Sequence, residues 1–247
     1  MNERRFRIVT ANIIIAAMLS VVLSAALLAV LPESGEEVPA GKAVYSGDPA
    51  GGKVSLMVNV YENTPAVEEI ARLLAERGMS TTFFIGGKWA EKNGDALLKL
   101  AADGFELGNH GYLHRDHATL SYDANRAEIL VTERLLKATL EGLGEAASRA
   151  VAPLFAPPSG SMGGAMFDAA DALGYTVVMW TRDTVDWRDR DPDIIARRAV
   201  DGIAAGDLIL MHPTDATVAA LPRILDAVTA AGLTVAPVSE VIGSKAA

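Results

Sequence analysis

From Lys53 onward, short runs of apolar residues alternate with longer stretches in which apolar residues recur at helical spacing. The short runs are apolar on both faces, which is typical of strands in a parallel sheet that helices cover on both sides. They predict seven strands, at Val54–Val58, Thr81–Ile85, Phe105–Leu107, Leu154–Phe155, Thr176–Trp180, Leu208–Met211 and Leu233–Val235.

The stretches between these runs predict six helices, and a glycine follows almost every one of them. Seven strands and six helices over about 195 residues favour a closed or nearly closed β/α barrel. An open doubly wound sheet is the alternative, but it requires a phosphate-binding glycine loop after the first strand, and Asn59–Asn63 contains no glycine. The predicted helices are Pro65–Arg77, Ala90–Ala102, Ser121–Leu140, Ala165–Leu173, Pro192–Ala205 and Thr217–Ala231.

The N-terminal segment has a different character. Ile13–Leu31 is a run of nineteen residues without a charge, and three arginines precede it. At 1.5 Å per residue a helix of this length nearly spans a bilayer core of ~30 Å, and the basic flank predicts that the rest of the chain lies outside the cytoplasm. We therefore expect an uncleaved single-pass anchor in the cell membrane, with a cleavable signal peptide as the alternative. The predicted organisation is an anchor over 1–31, a linker over 32–52 and one α/β domain over 53–247.

Composition narrows the class of protein. Half of the 247 residues are hydrophobic and 21% are charged, which excludes a wholly disordered chain. The absence of cysteine excludes disulfides, thiolate metal sites and a cysteine nucleophile. The net charge is −9, and because the first 31 residues carry +2, the remainder carries −11. So acidic a domain argues against a nucleic-acid partner.

Histidines cluster after the predicted strands, where the sites of parallel α/β folds form. His110 and His114 follow the third strand at a spacing that lets two imidazoles share a cation. A zinc site needs a third protein ligand, for which Asp116, His117 and Glu62 are the nearby candidates. For Asp116 and His117 we prefer the interpretation of a solvated loop.

Asp183 and His212 form a second candidate pair, after the fifth and sixth strands. An aspartate that hydrogen-bonds an imidazole fixes its tautomer, and such a histidine serves as a general acid. The alternatives are that Asp183 caps the following turn and that His212 is only the polar end of a strand. Trp187 and Leu210 either line an apolar pocket or belong to the core.

Together these segments resemble the polysaccharide deacetylase family, the NodB-type enzymes of carbohydrate esterase family 4, over about Lys53–Ile242. The resemblance implies a distorted (β/α) barrel of about seven parallel strands. It also implies metal-dependent removal of acetyl groups from N-acetylglucosamine-type polymers. The matching motifs lie at Thr81–Phe84, Glu106–His114, Phe155–Gly160, Trp180–Trp187 and Ile209–His212.

The resemblance also implies roles for single residues. His110 and His114 match the metal histidines of the family, His212 its general acid, and Asp183 the carboxylate that orients that acid. In that chemistry the metal polarises the amide carbonyl, a carboxylate base takes a proton from water, and the histidine protonates the leaving amine. The residues implied to line the substrate pocket are Trp187, Leu210 and Pro158.

The first motif departs from the family pattern. Asn59 stands at the position of the family's base, and Val60 at that of its metal-binding aspartate. The arginine that pairs with the base is replaced by Ala156, so no unpaired cation faces the neutral Asn59. We expect a divalent cofactor, Zn²⁺ or Co²⁺, to bind weakly or not at all unless Glu62 supplies the missing ligand.

The altered motifs resemble a sporulation-associated branch of the family. The leading hypothesis is a membrane-anchored deacetylase homologue that hydrolyses the carbon–nitrogen bonds of N-acetylated cell-wall glycan, with slow or undetectable turnover. The alternative is a catalytically inactive protein that binds cell-wall glycan or serves in sporulation. The expected partners are the glycan and, through the N-terminal helix, the membrane.

Overall fold

The computed structural model describes residues 43–144 and 150–243. The predicted anchor over 13–31 and the first part of the predicted linker, residues 32–42, lie outside this range. Within the described part of the chain, no helix combines the length and the apolar character that a membrane crossing requires.

The described residues form one sheet of nine strands that pair in parallel, in the order β1-β6-β5-β4-β3-β2-β8-β7, with β9 beside β2. This parallel half-barrel has the α/β architecture that the sequence predicts. Its strands are β1 (Ala43–Val44), β2 (Lys53–Val60), β3 (Thr82–Ile85), β4 (Glu106–Asn109), β5 (Val151–Phe155), β6 (Thr176–Val178), β7 (Arg182–Asp183), β8 (Leu208–Met211) and β9 (Thr234–Val235).

Each predicted helix has a counterpart, although Ala90–Ala102 is divided in two. The break falls at Asn93, whose backbone is not helical and whose side-chain amide donates to the carbonyl of Trp89. The helices are α1 (Thr64–Ala75), α2 (Gly87–Ala90), α3 (Gly94–Ala102), α4 (Tyr122–Leu140), α5 (Gly164–Ala172), α6 (Asp186–Asp189), α7 (Pro192–Val200), α8 (Asp215–Ala230) and α9 (Val238–Ile242).

The segment just before β2 packs on the domain, although the sequence places it in the linker. Strand β1 pairs with β6, and the Gly47 N–H donates to the Gly206 carbonyl at 2.8 Å. A Cβ at Gly47 would lie only 2.2 Å from the Val241 oxygen, so this close approach requires glycine. A two-residue strand carries no hydrophobic pattern from which β1 could be predicted.

Alternation along β2 determines which side chain reaches the site. Val58 and Val60 are fully buried in the apolar cluster between the sheet and the helices. Met57 belongs to the second cluster, with Phe84, on the opposite face of the sheet. Because side chains alternate along a strand, Asn59 shares the face of Met57, whereas Val60 faces the helices. The two positions of the altered first motif therefore point to opposite sides of the sheet.

Candidate functional site

A cavity of about 540 Å³ opens at the C-terminal ends of β2, β7 and β8. Such a position is where parallel α/β folds form their sites. Seven of the residues that the sequence analysis singles out line this cavity, namely Asn59, Glu62, His114, Asp183, Trp187, Leu210 and His212.

Asn59 lies in the wall of the cavity at the end of β2 and is only 3% exposed. Its Oδ1 atom is buried and has no hydrogen-bond partner. A buried polar atom without a partner is uncommon, because it gives up its hydrogen bonds to water and receives none in return, at a cost of about 1–3 kcal/mol. Asn59 therefore stands in the cavity wall with a buried oxygen that no described residue satisfies.

The structure brings His110 and His114 together, with ring centroids 5.1 Å apart and ring planes at 72°. His110 is buried, and its Nδ1 lies 2.7 Å from the Ala156 carbonyl oxygen, to which an Nδ1–H donates. Burial, reinforced by the nearby His114, lowers the pKa of His110 to about 3. Burial also lowers the pKa of His114, whose backbone adopts a left-handed conformation.

The part of the chain that the structure describes gives these two histidines no third side chain with which to hold a metal ion. No group of three histidine, aspartate or glutamate side chains suited to a metal ion occurs among residues 43–144 and 150–243. Val60, at the position of the family's metal aspartate, faces the helices, and Glu62 lines the cavity without completing such a group. The residues present therefore do not fit a divalent ion held by three protein ligands.

His212 pairs with Asp186 rather than with Asp183. Its Nδ1 lies 2.8 Å from Asp186 Oδ1, and its backbone N–H donates to Oδ2 at 2.6 Å. The Thr217 hydroxyl donates to the same Oδ2, so the fully buried carboxylate has three donors. Asp183 instead accepts the backbone N–H of Val185 at 2.8 Å. The predicted pairing of His212 with Asp183 is therefore wrong, and the aspartate that contacts the ring is Asp186.

The reason lies in the turn that precedes α6. Val185 adopts a left-handed conformation, with φ of 52°, and the short helix α6 begins at the next residue. This turn places Asp186 under the end of β8, whereas Asp183 remains at the end of β7, in the cavity wall. Because Nδ1 contacts Asp186, Nε2 is the ring nitrogen of His212 that is left for the cavity.

The interpretation of His117 as part of a solvated loop is wrong. Its ring is fully buried, packs edge-on against Phe155, and lies 2.6 Å from Asn125 Oδ1 through Nδ1. Burial lowers its pKa. Asp116 is exposed, as expected for a loop, and accepts the Ala118 N–H at the start of a 3₁₀ turn. Nothing in the sequence distinguishes the buried histidine from its exposed neighbours.

Two aromatic residues stand at the rim of the cavity. Trp187, which the sequence analysis predicts, is 56% exposed. Tyr61, which it does not consider, is 38% exposed, and its ring centroid lies 4.7 Å from that of His114. Flat aromatic surfaces of this kind bind the apolar faces of other rings. Leu210 is buried and forms part of the cavity wall. Pro158 is also buried but does not line the cavity, and its neighbour Ser159 does.

Comparison with known proteins gives consistent matches. Residues 47–178 match the family model for polysaccharide deacetylase. The chain is 32% identical over 200 residues to the uncharacterized protein YlxY of Bacillus subtilis (strain 168). This match covers 81% of this chain and 60% of that protein. It is 29% identical over 171 residues to a peptidoglycan-N-acetylglucosamine deacetylase of Bacillus cereus, covering 69% of this chain and 59% of that enzyme. The chain thus spans about three fifths of these relatives.

A solved structure is also similar to this fold. The crystal structure of a CE4 family pseudoenzyme from Bacillus anthracis matches with a TM-score of 0.75 and 30% sequence identity. The match covers 81% of this chain and 69% of that one.

Proposed function

This chain belongs to the polysaccharide deacetylase family, and from that premise we propose that it binds N-acetylated cell-wall glycan and hydrolyses it slowly or not at all. The observation that carries the proposal is Asn59. It stands where the family pattern has its base, lines the cavity and leaves a buried oxygen unpaired. A neutral amide does not take a proton from water, and a positioned base typically contributes 10²–10⁴-fold.

The metal site supports the same proposal. Enzymes of this family use a divalent metal, and the described residues offer two histidines without a third ligand. A bound metal would supply charge stabilisation worth several kcal/mol in the transition state. The missing base and the incomplete metal site both slow the same step, the attack of water on the amide. Restoring one of them alone therefore recovers little activity.

Other features of the cavity support a role in binding glycan. The cavity keeps Trp187 at its rim, the buried Leu210 in its wall and His212 held by Asp186. The chain is similar to a pseudoenzyme from Bacillus anthracis over four fifths of its length. This similarity supports a protein in which the binding cleft is kept and the catalytic activity is lost.

A peptidoglycan-type deacetylase with turnover at ordinary enzyme rates is the second candidate. The His212–Asp186 pair favours it, because an imidazole with a fixed tautomer next to the cavity suits protonation of a leaving amine. This pair acts after water has attacked and does not replace the missing base.

For the segment outside the described residues, we propose that the run at 13–31 anchors the chain in the cell membrane with the domain outside. Its length without charge and the preceding arginines support this topology. N-terminal sequencing of the mature protein tests it, because a start beyond Ser24 would contradict an uncleaved anchor. A role in sporulation stays a prediction from the motif resemblance.

The test of glycan binding is isothermal titration of the full-length protein in detergent with an N-acetylglucosamine pentamer. We expect saturable binding that Trp187→Ala weakens, because the exposed indole supplies stacking area at the rim. Tyr122→Ala is the matched control, since Tyr122 is also exposed, at 40%, but does not line the cavity. No binding by the unmodified protein, or equal losses in both variants, would contradict the proposal.

A further inference from the structure

We infer that Arg190 gives the cavity a preference for acidic glycan, because its guanidinium is placed to bind a carboxylate carried on a substituent of the sugar. The inference rests on the proposed function and assigns its site a substrate class, an N-acetylated glycan with carboxylate groups rather than a neutral polymer of N-acetylglucosamine. Arg190 is exposed and lies just after α6. It is the only lysine or arginine among the described residues that line the cavity.

Arg190 has no counter-ion within the described part of the chain. Its guanidinium makes no ion pair or hydrogen bond there, although Asp189 and Asp191 are its neighbours in sequence. Asp189 is already shared, because Arg188 Nε lies 2.7 Å from its Oδ1 and Arg198 Nη1 lies 2.6 Å from its Oδ2. Asp191 accepts a backbone N–H at the start of α7 at 2.8 Å. The charge of Arg190 is therefore left for a ligand.

Two carboxylates of the protein share the cavity wall, Glu62 and Asp183. Asp183 accepts the backbone N–H of Val185, and neither of the two pairs with Arg190. An acidic ligand would be repelled near these two side chains and attracted near Arg190. We therefore expect the acidic substituent to lie at the end of the cavity that α6 and Arg190 form.

The backbone of Arg190 supports a role in binding. It ends the short helix α6 in a left-handed conformation, with φ of 42°. Glycine adopts this conformation readily, and Gly104 and Gly174 do so after α3 and α5. An arginine in this region is uncommon, and strained residues of this kind concentrate at binding and catalytic sites. The position thus has an arginine where the backbone alone favours glycine.

The chemistry of the guanidinium selects the ligand. Its planar N–H groups match the two oxygens of a carboxylate, whereas a neutral sugar hydroxyl gains nothing from the charge. Trp187, three residues earlier and 56% exposed, offers an aromatic face to a sugar ring in the same wall. In peptidoglycan, N-acetylglucosamine alternates with N-acetylmuramic acid, whose lactyl group carries a carboxylate or an acidic peptide. A polymer of N-acetylglucosamine carries no carboxylate.

The experiment titrates the full-length protein in detergent with three tetrasaccharides. The first is neutral and contains only N-acetylglucosamine, the second alternates it with N-acetylmuramic acid, and the third carries peptides on the lactyl groups of the second. We expect at least one acidic probe to bind about fivefold more tightly than the neutral probe at low salt, which corresponds to about 1 kcal/mol. High salt should reduce this preference. The probe that binds more tightly identifies the lactyl group or the peptide as the source of the carboxylate.

Variants of single arginines assign the preference to a residue. Arg190→Gly should bind the three probes with similar affinities, and its melting temperature should not fall, because glycine suits the left-handed backbone. A loss of preference in this variant is therefore not a loss of the fold. Arg197→Ala is the matched control, since Arg197 is also exposed but does not line the cavity. It removes the same charge and should keep the preference.

The outcomes separate this inference from the function on which it rests. Equal affinities of the unmodified protein for the neutral and the acidic probes would overturn the role of Arg190 and leave glycan binding intact. A preference that persists in Arg190→Gly, or that is lost equally in Arg197→Ala, would do the same. Failure of the unmodified protein to bind any of the three probes would overturn both.

Discussion

Acidification is expected to destabilise this fold through its buried histidines, and His110 provides the sharpest case. Its ring is buried and its Nδ1–H donates to the carbonyl of Ala156. Burial holds its pKa at about 3, whereas an imidazole in the unfolded chain titrates near 6.5. As the pH falls below 6.5, the unfolded chain therefore binds a proton that the folded protein does not, and stability falls until the pH approaches 3.

The size of the effect follows from the interval between the pKa of His110 in the folded protein and its pKa in the unfolded chain. Each pH unit below 6.5 lowers the free energy of unfolding by about 1.4 kcal/mol for one such group, so a shift to pH 5 removes about 2 kcal/mol through His110. Burial lowers the pKa of His114 and His117 as well, and their contributions have the same sign. About 2 kcal/mol is a large part of the stability of a typical domain.

Urea unfolding at pH 7 and pH 5, with a chelator present, measures this loss for the unmodified protein and for His110→Asn. Asparagine keeps an N–H donor and does not titrate, so the comparison uses the change in stability between the two pH values and not the stability at either one. We expect the unmodified protein to lose about 2 kcal/mol more than the variant between the two pH values. Equal losses would show that His110 binds its proton in the folded state and would refute the reasoning.

Four further outcomes are expected. Asp186→Ala should lower the melting temperature more than Asp183→Ala, because it leaves three hydrogen-bond donors unpaired and Asp183→Ala leaves one. The two variants should differ in free energy of unfolding by at least ~2 kcal/mol, which thermal unfolding would detect. Equal shifts in melting temperature would contradict this prediction. The purified protein should hold zinc weakly in an equilibrium titration, so one tightly held ion per chain by mass spectrometry would reveal a ligand outside the described histidine pair. Asn59→Asp combined with Ala156→Arg should raise acetate release by less than the roughly 10²–10⁴-fold that a positioned base contributes, because the metal site stays incomplete, and a larger gain would show a metal ligand that the described residues lack. Val60→Asp should lower the melting temperature without raising activity, because Val60 is buried against the helices, and a gain in acetate release would contradict that orientation.

The elements that the sequence predicts best are those that carry an apolar pattern. Strand β8 occupies the predicted Leu208–Met211, because its four residues are buried on both faces. Strands β1 and β7 escape prediction, since each has two residues and β7 consists of a polar pair, Arg182–Asp183. These strands are held by backbone pairing with longer neighbours, which leaves no hydrophobic signal in the sequence.

The site is predicted in its location and in most of its residues, because strand ends and histidine spacing are visible in a sequence. The partner of His212 is not, since Asp183 and Asp186 lie in the same motif and the left-handed turn at Val185 decides which one reaches the ring. The burial of His117 also depends on packing against another element, Phe155 of β5. Contacts of this kind are set by tertiary structure and by no local pattern.

Acetate release from an N-acetylglucosamine pentamer, followed with saturating substrate and added Zn²⁺ or Co²⁺, tests the central claim most directly. If Asn59 has replaced the base of a cleft that still binds glycan, the pentamer remains acetylated and any turnover lies far below ~1 s⁻¹, the lower end of typical enzyme rates. Acetate release at about 1 s⁻¹ or faster would contradict the account and show that another residue serves as the base.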